Sequence, residues 1–123
     1  MGARILIAED EANIAESLSF ILGREGHEVL TVPDGEAALR QLRKRLPDLL
    51  ILDVMLPGLN GFEVLKALKA DARLKDLPVI VLTAKTQQHD RELAESIGVA
   101  AYLTKPFSNR DIIDHVGRLT AAA

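Results

Sequence analysis

Five polar residues follow or close short apolar runs along this chain. Glu9 and Asp10 come after Ile5-Leu6-Ile7-Ala8, and Asp53 comes after Leu49-Leu50-Ile51-Leu52. Thr83 follows Val79-Ile80-Val81-Leu82, and Lys105 lies just beyond Ala101-Tyr102-Leu103. If these runs are strands of one parallel sheet, all five residues point toward the carboxyl ends of the strands, where open α/β sheets bind ligands. Glu9, Asp10 and Asp53 would lie close together if the first and third strands are neighbours. Two like charges at about 4 Å repel by roughly 4 kcal/mol at an effective dielectric near 20. Such a cluster therefore demands a counter-charge or raised pKa values. Oxygen ligands of this kind suit a hard cation such as Mg²⁺, with Mn²⁺ as a substitute, and Lys105 adds a second positive charge. A carboxylate flanked by a metal, a lysine and a hydroxyl is a place to stabilise a transferring phosphoryl group.

Each residue also has an ordinary reading. An acid after a strand often caps the next helix, as Asp10 could. Thr83 is a β-branched residue suited to any strand, Lys105 could be a solvated surface lysine, and Tyr102 could simply pack at a core edge. Asp53 is harder to explain in this way, because it ends an otherwise apolar run. The constellation carries more weight than any member.

The elements that must position these residues are legible in the hydrophobic pattern. Strand-length apolar runs begin at Ile5, Val29, Leu49, Val79 and Ala101. Helical patterns lie between them: Ile14, Leu18, Ile21 and Leu22 form one face, Leu39, Leu42 and Leu46 a second, and Leu65, Leu68 and Ala72 a third. A more polar helix carries Leu93, Ala94 and Ile97, and a last one carries Ile112, Val116 and Leu119. Gly26 suits the position just past a helix end, Asp34 suits a helix N-cap, and Pro47 blocks helix continuation. Asn60 with Glu63, and Ser108 with Asp111, have the spacing of capping boxes. Five β-α units in succession predict a parallel sheet covered by helices on both faces.

The motifs together resemble a known family. Ala8-Glu9-Asp10-Glu11, Asp53-Val54-Met55-Leu56-Pro57-Gly58-Leu59-Asn60-Gly61, Leu82-Thr83-Ala84 and Tyr102-Leu103-Thr104-Lys105-Pro106-Phe107 are similar to the receiver domains of two-component signalling, of the CheY-like type. The likeness spans essentially the whole chain. It implies a flavodoxin-like (βα)5 three-layer sandwich with strand order 2-1-3-4-5. It implies that Asp53 is the phosphoacceptor and that Asp10 and Glu9 hold Mg²⁺, Asp10 directly and Glu9 often through water. The main-chain carbonyl of Met55 would be a further metal ligand. Thr83 matches the switch hydroxyl, Lys105 the lysine that pairs with the phosphoryl group, and Tyr102 the aromatic residue that turns inward when Thr83 moves. A cis Lys105-Pro106 bond is implied as well. The implied partners are a histidine kinase or histidine phosphotransfer protein. An output protein would dock on the surface of the fourth helix, fifth strand and fifth helix. The side chains that tune phosphoryl lifetime in this family correspond to Met55 and Lys85. The first acidic position is Glu9 where many relatives have Asp, a mild departure.

Two other classes fit less well. An aspartyl phosphatase of the haloacid-dehalogenase type needs Asp-x-Asp, and here Val54 and Met55 follow Asp53. A flavin binder of similar fold needs a phosphate cradle after the first strand, where Glu9-Asp10-Glu11 would repel phosphate. The receiver-type dimer of winged-helix regulators uses an acidic pair before the strand-five aromatic, and Val99-Ala100-Ala101 stands there instead. A monomer, or at most a weak phosphorylation-dependent dimer, is the expectation.

Composition agrees with these readings. The 123 residues fit one domain, 1–123, and a hydrophobic content of 48% supplies one core. The net charge of −3 and the lack of a basic block speak against direct nucleic-acid binding. With no cysteine, no long apolar run and no signal-peptide pattern at Met1-Gly2-Ala3-Arg4, a cytoplasmic protein away from membranes is expected. No effector domain accompanies the motifs, which suits either a stand-alone regulator or a receiver cut from a longer protein.

Overall fold

Apolar runs without polar alternation become strands covered on both faces. The computed structural model describes residues 2–84, 92 and 95–120. Its strands are β1 (Arg4–Ala8), β2 (Glu28–Val32), β3 (Leu49–Asp53), β4 (Val79–Ala84) and β5 (Ala101–Lys105). Its helices are α1 (Ala12–Arg24), α2 (Gly35–Lys44), α3 (Gly61–Ala70) and α4 (Asn109–Thr120). All strand pairs are parallel, and the order is β2-β1-β3-β4-β5. The expected strand order is therefore the observed one. The polar helix expected before β5 is seen at Glu92 and residues 95–97. Lys85, Arg91, Leu93, Ala94 and the terminal alanines lie outside the described residues.

Each face of the sheet has its own core. On one face Leu6, Ala8, Leu50, Leu52, Val79 and Val81 meet the buried side chains of α2 and α3. On the other, Ile5, Ile7, Leu49, Ile51, Ile80, Leu82 and Leu103 meet Leu18 and Leu22 of α1 and Ile112 and Val116 of α4. Alternate residues of one strand thus serve opposite cores. The order reverses between β1 and β3, so the residues just past these two strands flank the topological switch point.

The helix ends follow local chemistry. Gly26 adopts φ +91°, its N–H donates to the Gly23 carbonyl at 3.0 Å, and His27 N–H donates to Leu22 at 3.2 Å, a Schellman ending. Asp34 accepts from Ala37 N–H at 2.8 Å. Asn60 and Glu63 form the reciprocal capping box that opens α3. At α4 the structure shows the Ser108 half of the expected box, Ser108 Oγ accepting from Asp111 N–H at 3.0 Å. Two helical faces end earlier than periodicity predicts. Leu46 is 42% exposed and outside α2, because Pro47 disfavours helical backbone at the residue before it and Arg45 has already turned extended. Ala72 is exposed beyond the end of α3, and Leu74 enters the core instead.

Candidate functional site

Alternation decides which side chains meet at the carboxyl ends of the strands. Asp53 continues the side of Leu49 and Ile51, Lys105 continues that of Leu103, and Glu9 continues that of Ile5 and Ile7. All three are on the α1–α4 side, and all three meet. Lys105 Nζ lies 2.9 Å from Asp53 Oδ2 and 2.9 Å from Glu9 Oε1. The second contact is an ion pair without the alignment of a directed hydrogen bond. Glu11, which sequence reasoning left without a role, adds a looser contact to Lys105 at 3.7 Å. The other oxygen of Asp53, Oδ1, accepts from Met55 N–H at 2.9 Å, and Glu9 Oε2 accepts from Glu11 N–H at 3.2 Å.

Burial separates the acids. Glu9 and Asp53 are 3% and 1% exposed, whereas Asp10 is exposed at the mouth. Burial, reinforced by the adjacent Asp53 carboxylate, raises the Glu9 pKa to about 7 against the pull of Lys105. Burial would also raise Asp53, but hydrogen bonds with Glu9, Lys105 and the Met55 N–H outweigh it and hold Asp53 below its ordinary value. Burial disfavours the Lys105 charge, yet Asp53 and Glu9 overcome that and raise its pKa. Near neutrality Asp53 is therefore ionised beside a charged lysine, and Glu9 is the acid that shares a proton with solution.

Ligand oxygens of Glu9, Asp10 and Asp53 all lie within 4.8 Å of one another. The donor set fits a hard divalent cation. It offers only oxygens, and its three carboxylates exceed the single lysine charge set among them. Thr83 is 1% exposed, and its hydroxyl has no hydrogen-bond partner. An unmet buried hydroxyl is costly, so this one is suited to a ligand oxygen. Thr83 stands in β4, the strand between β3 and β5, on the side of Val79 and Val81. Tyr102 pairs in register with Val81 and packs, partly buried, against that same core. The structure thus brings Glu9, Asp10, Asp53 and Lys105 together, with Thr83 at the same sheet end. Tyr102 is set back along the sheet on the Thr83 side, and the Met55 side chain points away, 62% exposed. The Lys105-Pro106 bond is cis.

A flavodoxin-like sheet with an acidic, lysine-bridged pocket at its switch point defines a class of phosphotransfer domain. A model of the response regulator receiver domain matches residues 5–117, and the chain belongs to that family. PhoB, the phosphate regulon transcriptional regulatory protein of Escherichia coli K12, is 39% identical over 116 residues, covering 94% of this chain and 51% of that protein. PhoP, the alkaline phosphatase synthesis transcriptional regulatory protein of Bacillus subtilis, is 42% identical over 112 residues, covering 91% and 46%. The chain spans about half the length of the curated relatives it matches. Among solved structures, the chemotaxis response regulator CheY4 of Vibrio cholerae superimposes with a TM-score of 0.89 at 30% identity, covering 97% and 99% of the two chains. The receiver domain of sensor histidine kinase PA1611 from Pseudomonas aeruginosa, with magnesium coordinated in its active-site cleft, gives 0.90 at 30% identity, covering 98% and 99%. The family makes this chain a receiver domain of two-component signalling. Receiver domains are signalling switches that work with histidine kinases and bind Mg²⁺ at an acidic site. Among the described residues, no helix is long and apolar enough to cross a membrane.

Proposed function

We propose that Asp53 is the phosphoacceptor of this receiver domain. An Asp53 carboxylate oxygen attacks the phosphorus of a phosphohistidine on a histidine kinase or phosphotransfer protein. The P–O bond forms as the P–N bond breaks, and its electron pair returns to the imidazole, which then takes a proton. The observation that carries this reading is the ionised, buried Asp53 held between Lys105 and the Met55 N–H. These contacts orient the carboxylate and exclude water from one side of it. Lys105 then has a new oxyanion to pair with, and the Thr83 hydroxyl has a partner for its unmet donor.

Asp10, Asp53 and the Met55 carbonyl would hold the metal, with Glu9 acting directly or through water. Bound there, Mg²⁺ or Mn²⁺ supplies positive charge against the phosphoryl oxygens. An apolar groove lined by Ile14, Leu18, Ile21 and Phe107 opens beside Lys105 and gives a donor protein a surface next to the acceptor. Engagement of Thr83 would draw Tyr102 inward along the shared face of the sheet. That change alters the β5 surface offered to an output protein by a population shift.

Incubation with acetyl phosphate tests the reading. The protein is expected to take one acid-stable, base-labile phosphoryl group in Mg²⁺ and none in excess chelator. Label that ignores chelator contradicts it.

A further inference from the structure

The loop between β3 and α3 is pinned at both ends. Gly61 N–H donates to the Val54 carbonyl at 3.1 Å, and a Cβ on Gly61 would stand 2.5 Å from Val54 Cα and 2.7 Å from the Asp53 carbonyl oxygen. Val54 and Leu56 are buried, while Met55, Pro57 and Gly58 are exposed. The loop tip is held from another element. Glu36, in the first turn of α2, accepts the Leu59 N–H through Oε1 at 2.7 Å, across 23 residues of sequence. Among the described residues, this is the only hydrogen bond tying residues 55–59 to a different helix or strand.

The surrounding backbone is shaped around this bond. Gly58 takes φ +68°, and a Cβ there would lie 2.7 Å from Glu36 Oε1. Gly35 packs so closely on the loop that its Cβ would fall 1.9 Å from the Leu59 carbonyl oxygen. Two glycines thus clear the space that lets the loop lie against the start of α2, one of them by a backbone conformation that disfavours other residues. A carboxylate in a first helical turn is stabilised by the helix dipole, and a hydrogen bond to an ionised acceptor is stronger than a neutral one. Among the described residues, no other carboxylate bonds this loop tip, and no hydrogen bond or ion pair joins Glu36 to Glu9, Asp10, Asp53 or Lys105.

We propose that Glu36 is a positioning residue for the metal and phosphoryl site. It fixes the loop whose Met55 N–H orients Asp53 and whose Met55 carbonyl would be a metal ligand on the reading above. This rests on the phosphoacceptor reading above. Glu36→Ala frees the Leu59 N–H. Glu36→Asp keeps the charge but shortens the side chain, and Glu36→Gln keeps an acceptor oxygen at full length.

The test combines two readouts on the full chain. The first is hydrogen exchange of the Leu59 amide in metal-free protein, and the second is Mg²⁺ affinity by amide-shift titration. In Glu36→Ala and Glu36→Asp we expect Leu59 exchange about tenfold faster and Mg²⁺ affinity about fivefold weaker, the scale of one lost hydrogen bond. Glu36→Gln should stay near wild type on both. If Glu36→Ala folds poorly, the Asp and Gln variants, which both keep a polar helix start, carry the comparison alone. Values for Glu36→Asp within about twofold of wild type overturn the proposal. So does a Gln variant as impaired as the Asp one. Wild-type protein that binds no Mg²⁺ overturns the phosphoacceptor reading itself, whereas normal wild-type binding with an unaffected Glu36→Asp overturns only the role of Glu36.

Discussion

Lys105 reaches across a whole strand to hold Asp53. The two residues lie on β5 and β3, which are separated by β4, yet Nζ and Oδ2 are 2.9 Å apart. Neighbouring strands are spaced about 4.8 Å, so only a long side chain can span the gap, and Thr83 of β4 sits at the same end of the strand between them. Asp53 is thereby kept charged in a buried position, while Glu9, competing for the same ammonium, is the acid left near its titration point.

That competition sets a pH dependence. Glu9 keeps its proton longer in the folded chain than its ordinary value of 4.5 would allow, since its folded pKa is about 7. Between these values the folded state binds more protons than the unfolded one. The Glu9 contribution is therefore full below 4.5 and is lost as pH rises through about 7. Asp53 has the opposite sign, and its contribution is lost only as pH falls below its ordinary 3.8. Metal-free protein should melt lower at pH 8 than at pH 5.5, and Mg²⁺ should recover more of the loss at the higher pH. Glu9→Gln should flatten that dependence. Melting curves at the two pH values, with and without Mg²⁺, check this, and a dependence unchanged in Glu9→Gln would refute it.

Close packing at Gly61 predicts a steep cost for a single methyl group. Its Cβ would collide with backbone at Val54 and Asp53, which cannot swing aside as a side-chain end can. Gly61→Ala should destabilise the fold by about 1–3 kcal/mol and slow labelling of Asp53. Denaturant titration is the measurement, and an unchanged midpoint would show that the loop yields freely.

The exposed Met55 side chain bears on how long the phosphoryl group lasts. A thioether two residues past Asp53 cannot orient an attacking water as an amide or acid could. The phosphorylated state should persist for minutes or longer, because no side chain at this position orients the hydrolytic water, and Met55→Asn should shorten it. Decay of labelled protein after donor removal checks both points. A short lifetime that ignores the substitution argues against the assignment.

The β5 edge predicts weak self-association. Val99, Ala100 and Ala101 precede the partly buried Tyr102, and this stretch offers no charge for a symmetric ion-paired dimer. Exposed pairs contribute only about 0–1 kcal/mol in any case. Light scattering should find a monomer, with at most weak dimerisation when beryllofluoride occupies Asp53. A tight dimer in that state would contradict the reading of this edge.

Much of this was legible in the chain because it is written locally. Unbroken apolar runs at Ile5, Leu49 and Val79 required strands buried on both faces, and Gly26, Asp34, Asn60 and Glu63 marked helix ends by their own chemistry. The site residues could be gathered because a parallel sheet brings all its carboxyl ends to one side. Periodicity misled at Leu46 and Ala72, where backbone constraints ended the helices first. Two features depend on tertiary contacts and leave no local trace. One is the division of adjacent Glu9 and Asp10 into buried and exposed acids. The other is the bond from Glu36 to Leu59, since an acid in a first helical turn is ordinary wherever it occurs.

The central claim is that one carboxylate carries the phosphoryl group, and locating that group tests it most directly. Protein labelled with acetyl phosphate in Mg²⁺ can be reduced with borohydride, which converts an aspartyl phosphate to homoserine, and then mapped by peptide mass spectrometry. The account predicts homoserine at position 53 in wild type and no conversion in Asp53→Asn, whose amide is a poor nucleophile. Conversion at another carboxylate in the wild-type protein, or undiminished label on Asp53→Asn, would contradict it.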